Sequence, residues 1–184
     1  ESYATAEAAG DDRALFNGIN RSLDNDDVAT FKSGFGVAKF TNFKTDGSAG
    51  HDATFPDADF FLMRAAEAYL NFAEADARIN GGQTTKEGTE AINAIRKRAN
   101  ASPREDKGYS LNDICDEWSR EFYFEGRRRM DLIRFNRFGG NVNYNWQWKG
   151  GTKEGRNFSK DLNIFAIPTN ELTSNKNLIQ NPGY

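Results

Sequence analysis

The sequence predicts a mainly α-helical fold: a tetratricopeptide-like helical hairpin followed by a kinked helix, with long irregular loops and a few short strands. Three observations predict it. Apolar residues between Asp57 and Ala99 recur at helical spacing in two consecutive runs. A third run, from Leu111 to about Phe138, changes its apolar phase at Gly126. On either side Gly, Asn, Asp and Ser dominate, which is the chemistry of turns. The chain thus divides into a loop-rich segment 1–57, a helical core 58–138 and an irregular cap 139–184.

In the first segment, turn clusters at Gly10–Asp12, Leu23–Asp27, Gly34–Gly36 and Asp46–Gly50 flank Val37–Phe43, whose alternation predicts a short strand. Phe61, Ala65, Ala68, Phe72, Ala75 and Ile79 then form a helical stripe. Asp57 or Asp59 is suited to cap its start, and Asn80-Gly81-Gly82 to stop it. Thr84 and Glu87 read as the capping box of a second helix. Its stripe is Ala91, Ile92, Ile95 and Ala99, with Pro103 just past its end. One such hairpin cannot bury its own face, because repeats are stable only when stacked on neighbours. The third helix starts near Ser110 or Asn112 and carries Leu111, Ile114, Cys115, Trp118 and Phe122 on its stripe. After Gly126 the apolar positions are Met130, Leu132, Ile133 and Phe138. Ile164–Pro168 predicts a brief strand ended by proline, and Asn181-Pro182-Gly183-Tyr184 a tight turn.

Composition excludes several functions. With 184 residues, one Cys and one His, the chain has no disulfide scaffold or Cys-based zinc site, and His-rich metal sites are disfavoured. No cofactor or metal is expected. No apolar run approaches the ~20 residues of a membrane-spanning helix. A net charge of −3 argues against nucleic acid as a partner. The chain opens at Glu1 without Met, signal peptide or lipid-attachment pattern, which reads as processing or as a piece of something larger.

Among candidate chemical groups, Glu117, Glu121 and Glu125 share one helix face, surrounded by Arg120, Arg127, Arg128, Arg129, Asp131 and Arg134. Glu125 with Arg129, and Asp131 with Arg134, are at pairing distance along a helix. The arrangement predicts an ion-pair network rather than a catalytic pair, which needs carboxylates placed across a cleft with separated pKa values. Asp24–Asp27 reads as a solvated turn: an EF-hand loop needs Gly and Glu where Ala29 and Phe35 stand. Cys115 on an apolar stripe is expected to be buried and inert, and His51 exposed in a loop. Asn-x-Ser occurs at Asn20, Asn100 and Asn157, which matters only in a eukaryotic secreted chain.

The aromatic loop is the candidate ligand site. Tyr144, Trp146 and Trp148 alternate, so an extended backbone points all three to one side, beside Asn145 and Gln147. Flat rings next to amides suit sugar rings, whose C–H faces stack while their hydroxyls take hydrogen bonds. The alternative is that the indoles fold back over the helices as a lid. We take Tyr144, Asn145, Trp146 and Trp148 as candidate ligand-binding residues and no residue as catalytic.

Four ordered blocks stand out. Arg64-Ala65-Ala66-Glu67, Leu70 and Ala73-Glu74-Ala75 make an arginine-started, Ala/Glu-rich helix. Asn93, Ile95-Arg96 and Arg98-Ala99 follow. Glu117, Arg120-Glu121, Glu125-Gly126, Arg128, Asp131-Leu132 and Arg134 form a third block. Ile167-Pro168, Glu171-Leu172, Asn175, Asn177-Leu178 and Gln180 to Tyr184 form the fourth, at the C-terminus. In order and spacing these blocks resemble the SusD/RagB family of outer-membrane nutrient-binding lipoproteins. Before Arg64 the likeness rests on Asp12-Arg13 and the stretch from Gly36 to Phe40. Trp118 and Arg129 depart from the pattern, where an arginine and an aromatic are usual, and read as a local repacking.

The resemblance implies a non-enzymatic protein at the bacterial cell surface, held on the outer membrane by an N-terminal lipid anchor that lies outside this chain. It implies capture of oligosaccharides, or in some branches peptides, for a SusC-like TonB-dependent transporter. It also implies that the chain is the C-terminal portion of a longer protein, and that its motif blocks are fold-forming positions. The Trp-x-Trp-Lys-Gly-Gly segment recurs in the family, which favours the lid. The competing expectations are a helical-repeat scaffold that docks a protein along the hairpin, and glycoside hydrolysis by Glu121 or Glu125.

Overall fold

The computed structural model describes residues 10–140 and 142–184. The start of the loop-rich segment, with the reading attached to Glu1, lies outside them. The described residues form two compact units, one ending at Gly126 and one beginning at Arg127. Helices dominate, in line with the fold class expected.

In the first unit, strands β1 (Phe16–Asn17) and β2 (Gly36–Val37) pair antiparallel, Phe16 opposite Val37. The strand expected over Val37–Phe43 is cut to its first residue plus Gly36. Helices α1 (Ala65–Ile79) and α2 (Lys86–Arg98) follow, joined by a short turn, and pack against each other as a hairpin. Helix α3 (Leu111–Phe122) packs on α1.

Helix α1 corrects the sequence reading on two points. It starts at Ala65, with Arg64 rather than Asp57 or Asp59 at its cap. Its buried face is Ala66, Leu70, Ala73, Glu74 and Ala77, whereas the expected stripe of Phe61, Ala65, Ala68, Phe72, Ala75 and Ile79 is exposed. The helix is rotated because a buried polar bond decides its facing. Trp118 Nε1 donates to Glu74 Oε2 at 2.9 Å, and Arg78 pairs with Glu74 Oε1 at 2.8 Å. The stop at Asn80 holds, with Gly81 and Gly82 both at positive φ.

Helix α2 buries Ala91, Ile92 and Ile95 as expected, with Ala99 buried at its end. The capping box at Thr84 does not form, because the cap is Thr85. Thr85 donates through N and Oγ1 to Asp76, while Thr84 is buried and its hydroxyl accepts from Tyr109 N. The true capping box starts α3: Ser110 Oγ accepts from Asp113 N, and the Asp113 carboxylate accepts from Ser110 N. Arg104 and then burial act on Asp113 in opposite senses, and its pKa falls well below the carboxylate range. Cys115 and Trp118 lie fully buried on the α3 stripe, and His51 is exposed.

The break expected at Gly126 is present, with φ at +77°. In the second unit, α4 (Arg128–Arg134) stops short of Phe138, and α5 (Thr169–Ser174) precedes the last turn. The expected strand Ile164–Pro168 has no partner strand among the described residues. Side chains take that place. Gln180 accepts from Ile167 N and donates to Ile167 O, Asn181 donates to Phe165 O, and the Tyr184 hydroxyl donates to Ile164 O. This explains why a Gln-Asn-Pro-Gly-Tyr ending accompanies an apolar extended run.

Candidate functional site

Two constellations carry the polar chemistry, one in each unit. In the first, the face of α3 presents Glu117 and Glu121, only 1% and 3% exposed. Glu117 accepts from Arg13 at 2.8 Å, Arg96 at 2.7 Å and Arg120 at 3.0 Å. Glu121 accepts from Arg64 at 2.7 Å, Arg98 at 2.6 Å and Arg13 at 3.1 Å. Glu125 pairs with Lys39 and Arg64. Apart from Arg120, which lies on α3 itself, the cations come from the loop segment, the residue before α1, and α2, so α3 is the hub that ties these pieces together. This is the ion-pair network expected from the spacing, with one pair corrected. Glu125 does not take Arg129, since the backbone break ends the helical register that would have aligned them. Arg129 donates instead to the carbonyls of Leu162 and Asn163 and lies over the rings of Phe138 and Phe165. The pair of Asp131 with Arg134 forms at 2.9 Å.

Electrostatically Glu121 and Glu125 are held as anions. Burial pushes Glu121 up, but hydrogen bonds and charge from Arg98 and Arg64 outweigh it and bring its pKa below the usual range. At Glu125 burial is likewise outweighed, by Arg64 and Lys39. A cleft of about 360 Å³ opens above this network, walled by Phe40, Phe61 and Arg98. Asp24–Asp27 is a hydrogen-bonded turn: Asp27 caps Ala29 N and Thr30 Oγ1, and Ser33 Oγ accepts from Asp26 N and Asp27 N.

In the second unit the aromatic loop is wound rather than extended. Trp148 has φ at +66°, followed by Gly150 at +64° and Gly151 at +83°. A Cβ at Gly150 would meet Arg156 at 2.8 Å, so the loop closes on itself too tightly for a side chain there. Tyr144, Trp146 and Trp148 are half-buried and Asn145 is exposed. The structure brings Tyr144 and Trp146 together, with centroids 6.3 Å apart and edge to face, and stacks Trp146 on Phe138 at 6.2 Å. The Tyr144 hydroxyl accepts from Arg128 at 2.8 Å, and Arg137 lies over its ring. Trp148 sits at the turn and donates its N–H to Lys153 O.

The residue that sequence reasoning missed is Lys149. It is 1% exposed, and its Nζ donates to Tyr144 O at 2.7 Å and to Asn157 Oδ1 at 3.1 Å. The ammonium also lies over the rings of Trp146 and Phe158. Burial pushes its pKa down. Lysines rarely lose contact with water, and nothing in a Trp-Lys-Gly-Gly string signals that this one does.

The SusD family model matches residues 6–184. The starch-binding protein SusD of Bacteroides thetaiotaomicron is 43% identical over 181 residues, covering 96% of this chain and 32% of that protein. The chain therefore spans about a third of the curated relative it matches. Among solved structures, the surface glycan-binding protein A from Bacteroides uniformis aligns over 66% of this chain and 27% of its own, at 28% identity and a TM-score of 0.54. A SusD superfamily protein from Bacteroides vulgatus covers all of this chain and 38% of its own, with a TM-score of 0.66 at 22% identity, a likeness of fold. The four sequence blocks, the helical hairpin and these matches agree, and the chain belongs to the SusD family.

Proposed function

We propose that this chain contributes to a non-catalytic protein that binds nutrient oligosaccharides at the bacterial outer-membrane surface, held by a lipid anchor, for delivery to a SusC-like TonB-dependent transporter. On this reading segments 1–57, 58–138 and 139–184 are the C-terminal portion of a longer SusD-like protein. The observation that carries it is 43% identity, across nearly the whole chain, to a starch-binding protein. The chemistry of α3 supports the non-catalytic part. Glu121 and Glu125 are held ionised by arginines and a lysine, whereas a glycosidase needs one carboxyl kept protonated opposite a second. Among the described residues no helix is long and apolar enough to cross a membrane.

Tyr144, Asn145, Trp146 and Trp148 are the proposed contacts, with exposed Asn145 beside two half-buried rings. Calorimetric titration of the native protein that carries this sequence, against malto-oligosaccharides and a panel of other glycans, tests both parts. Binding without turnover is expected, weakened by Trp146→Ala or Trp148→Ala. Turnover abolished by Glu125→Gln would overturn the non-catalytic reading, and undiminished binding in both tryptophan variants would remove those residues from the site.

One observation favours the second reading, a scaffold that docks a protein or peptide. The outer face of α1 is exposed, and a groove of about 440 Å³ runs beside Tyr69, Phe72 and Ala91. Phe72→Asp should abolish such docking and leave glycan titrations unchanged.

A further inference from the structure

The sequence holds the dipeptide Asn-Gly twice, at Asn17-Gly18 and Asn80-Gly81. In this pair the backbone nitrogen can attack the preceding side-chain amide with least hindrance, because glycine has no Cβ to obstruct the approach. The structure treats the two copies differently. Asn17 lies in β1 opposite Gly36, and the Phe35 ring stands 3.1 Å from where a Cβ at Gly18 would be. Asn80 is exposed at the end of α1, Gly81 has φ +68°, and a Cβ there would meet nothing within 4 Å. No packed neighbour crowds Gly81, so this turn opens locally as helix ends do.

The Asn80 amide holds a junction together. Its Nδ2 donates to Asp76 O at 2.8 Å and to Asp76 Oδ1 at 3.1 Å. The same Asp76 carboxylate accepts from Thr85 N at 2.6 Å and from Thr85 Oγ1 at 2.9 Å, so an α1 side chain anchors the cap residue of α2. Gly88 leaves room for this approach, since a Cβ there would strike Asp76 Oδ2. Gly82 N donates to Ala77 O at 2.8 Å, the closing bond of a glycine helix stop, and Gly82 O accepts from Leu111 N at 3.1 Å. One turn therefore joins the end of α1 to the starts of α2 and α3.

We propose that Asn80 is a deamidation site whose conversion unlatches this turn. At an Asn80 ψ of 40° the Gly81 nitrogen does not face Asn80 Cγ, so the reaction follows the local opening. The Gly81 nitrogen then gives its proton to water or hydroxide and bonds to Cγ, the bond from Cγ to Nδ2 breaks, and ammonia leaves. Water opens the resulting succinimide at either carbonyl, which yields aspartate or isoaspartate. Both products replace the Nδ2 donor by a carboxylate that faces the Asp76 carboxylate, beside Glu87, which already accepts from Thr85 Oγ1. A hydrogen bond is lost and a like-charge repulsion takes its place. Isoaspartate also adds a methylene to the backbone inside the ring that Gly82 N closes on Ala77 O.

The test is to age the native protein that carries this sequence at growth temperature, beside a free peptide of residues 78–84 as the reactive standard, and to map both by mass spectrometry. Aspartate and isoaspartate are expected at Asn80, several-fold ahead of Asn17. An Asn80 that stays intact while the peptide converts, or conversion no faster than at Asn17, overturns the site. For the consequence, Asn80→Asp should lower Tm more than Asn80→Ala, which removes the donor without adding charge. Hydrogen exchange at Thr85 N should quicken both in Asn80→Asp and in the aged wild type, the latter needing no variant. An Asn80→Asp protein as stable as Asn80→Ala, or unchanged exchange at Thr85 N in converted wild type, overturns the latch.

Discussion

The α3 network and the aromatic loop both bury charge, and they stabilise it in opposite ways. Around α3, each of Glu117 and Glu121 has three guanidinium partners, all but Arg120 drawn from distant parts of the sequence. In the loop, the charge of Lys149 rests on a carbonyl, an amide oxygen and two ring faces, all within ten residues. The first arrangement ties remote segments into one unit. The second closes a single loop. A buried charge thus organises only as much chain as its partners span.

This comparison can be broken or sharpened by perturbation. The largest effect is expected for Glu121→Ala, which leaves guanidinium groups from Arg13, Arg64 and Arg98 without a common acceptor. It should cost about 3–5 kcal/mol by chemical denaturation. A loss under 1 kcal/mol would mean that Glu117 and Glu125 compensate, and that the hub is redundant.

Acid should act next, and unequally. Glu121 and Glu125 have folded pKa values below their unfolded value of 4.5. Their contribution is complete above that value and is lost as pH falls through the folded values. Hydrogen exchange at falling pH should therefore show amides of α3 losing protection while those of the loop, such as Arg156 N on Lys149 O, retain theirs. Equal loss in both regions would erase the distinction.

Lys149→Met keeps the volume but leaves the Tyr144 carbonyl and Asn157 without the buried donor. About 1–3 kcal/mol is expected, with a changed near-ultraviolet circular dichroism signal from Trp146. A loss as large as that of Glu121→Ala would show that a local cation organises as much structure as the network. The smallest effect belongs to Gln180→Ala, which removes both hydrogen bonds to Ile167. About 0.5–1.5 kcal/mol is expected, measured as a shift in the denaturation midpoint.

How far the sequence could be read depended on the range of each interaction. Helices α2 and α3 were legible because their stripes and their stops are local. The α3 carboxylates were legible as a network because three of them fall on one face, although the arginines at 13, 64, 96 and 98 could not be matched to them. Helix α1 was placed but turned to the wrong face, because hydropathy favoured Phe72 and Ile79 over Glu74. The bond from Trp118, 44 positions away, gives Glu74 a partner inside the core that local periodicity does not reveal. The aromatic loop was legible as a cluster of rings, but not as a wound one, since Trp148 and Gly150 adopt positive φ that alternation does not encode. Lys149 gave no signal, because a buried ammonium runs against residue-type expectation.

The sequence by itself determined the family, the helical class, the hairpin and the break at Gly126. Each follows from spacing, turn chemistry or ordered motif blocks that act over a few residues. Tertiary structure alone decided which face of α1 is inside, which cation serves which carboxylate, and that Gln180 stands in for a partner strand. The physical reason is that a buried polar group must find its partner wherever the fold brings one. That partner is fixed by three-dimensional proximity, which local periodicity does not contain.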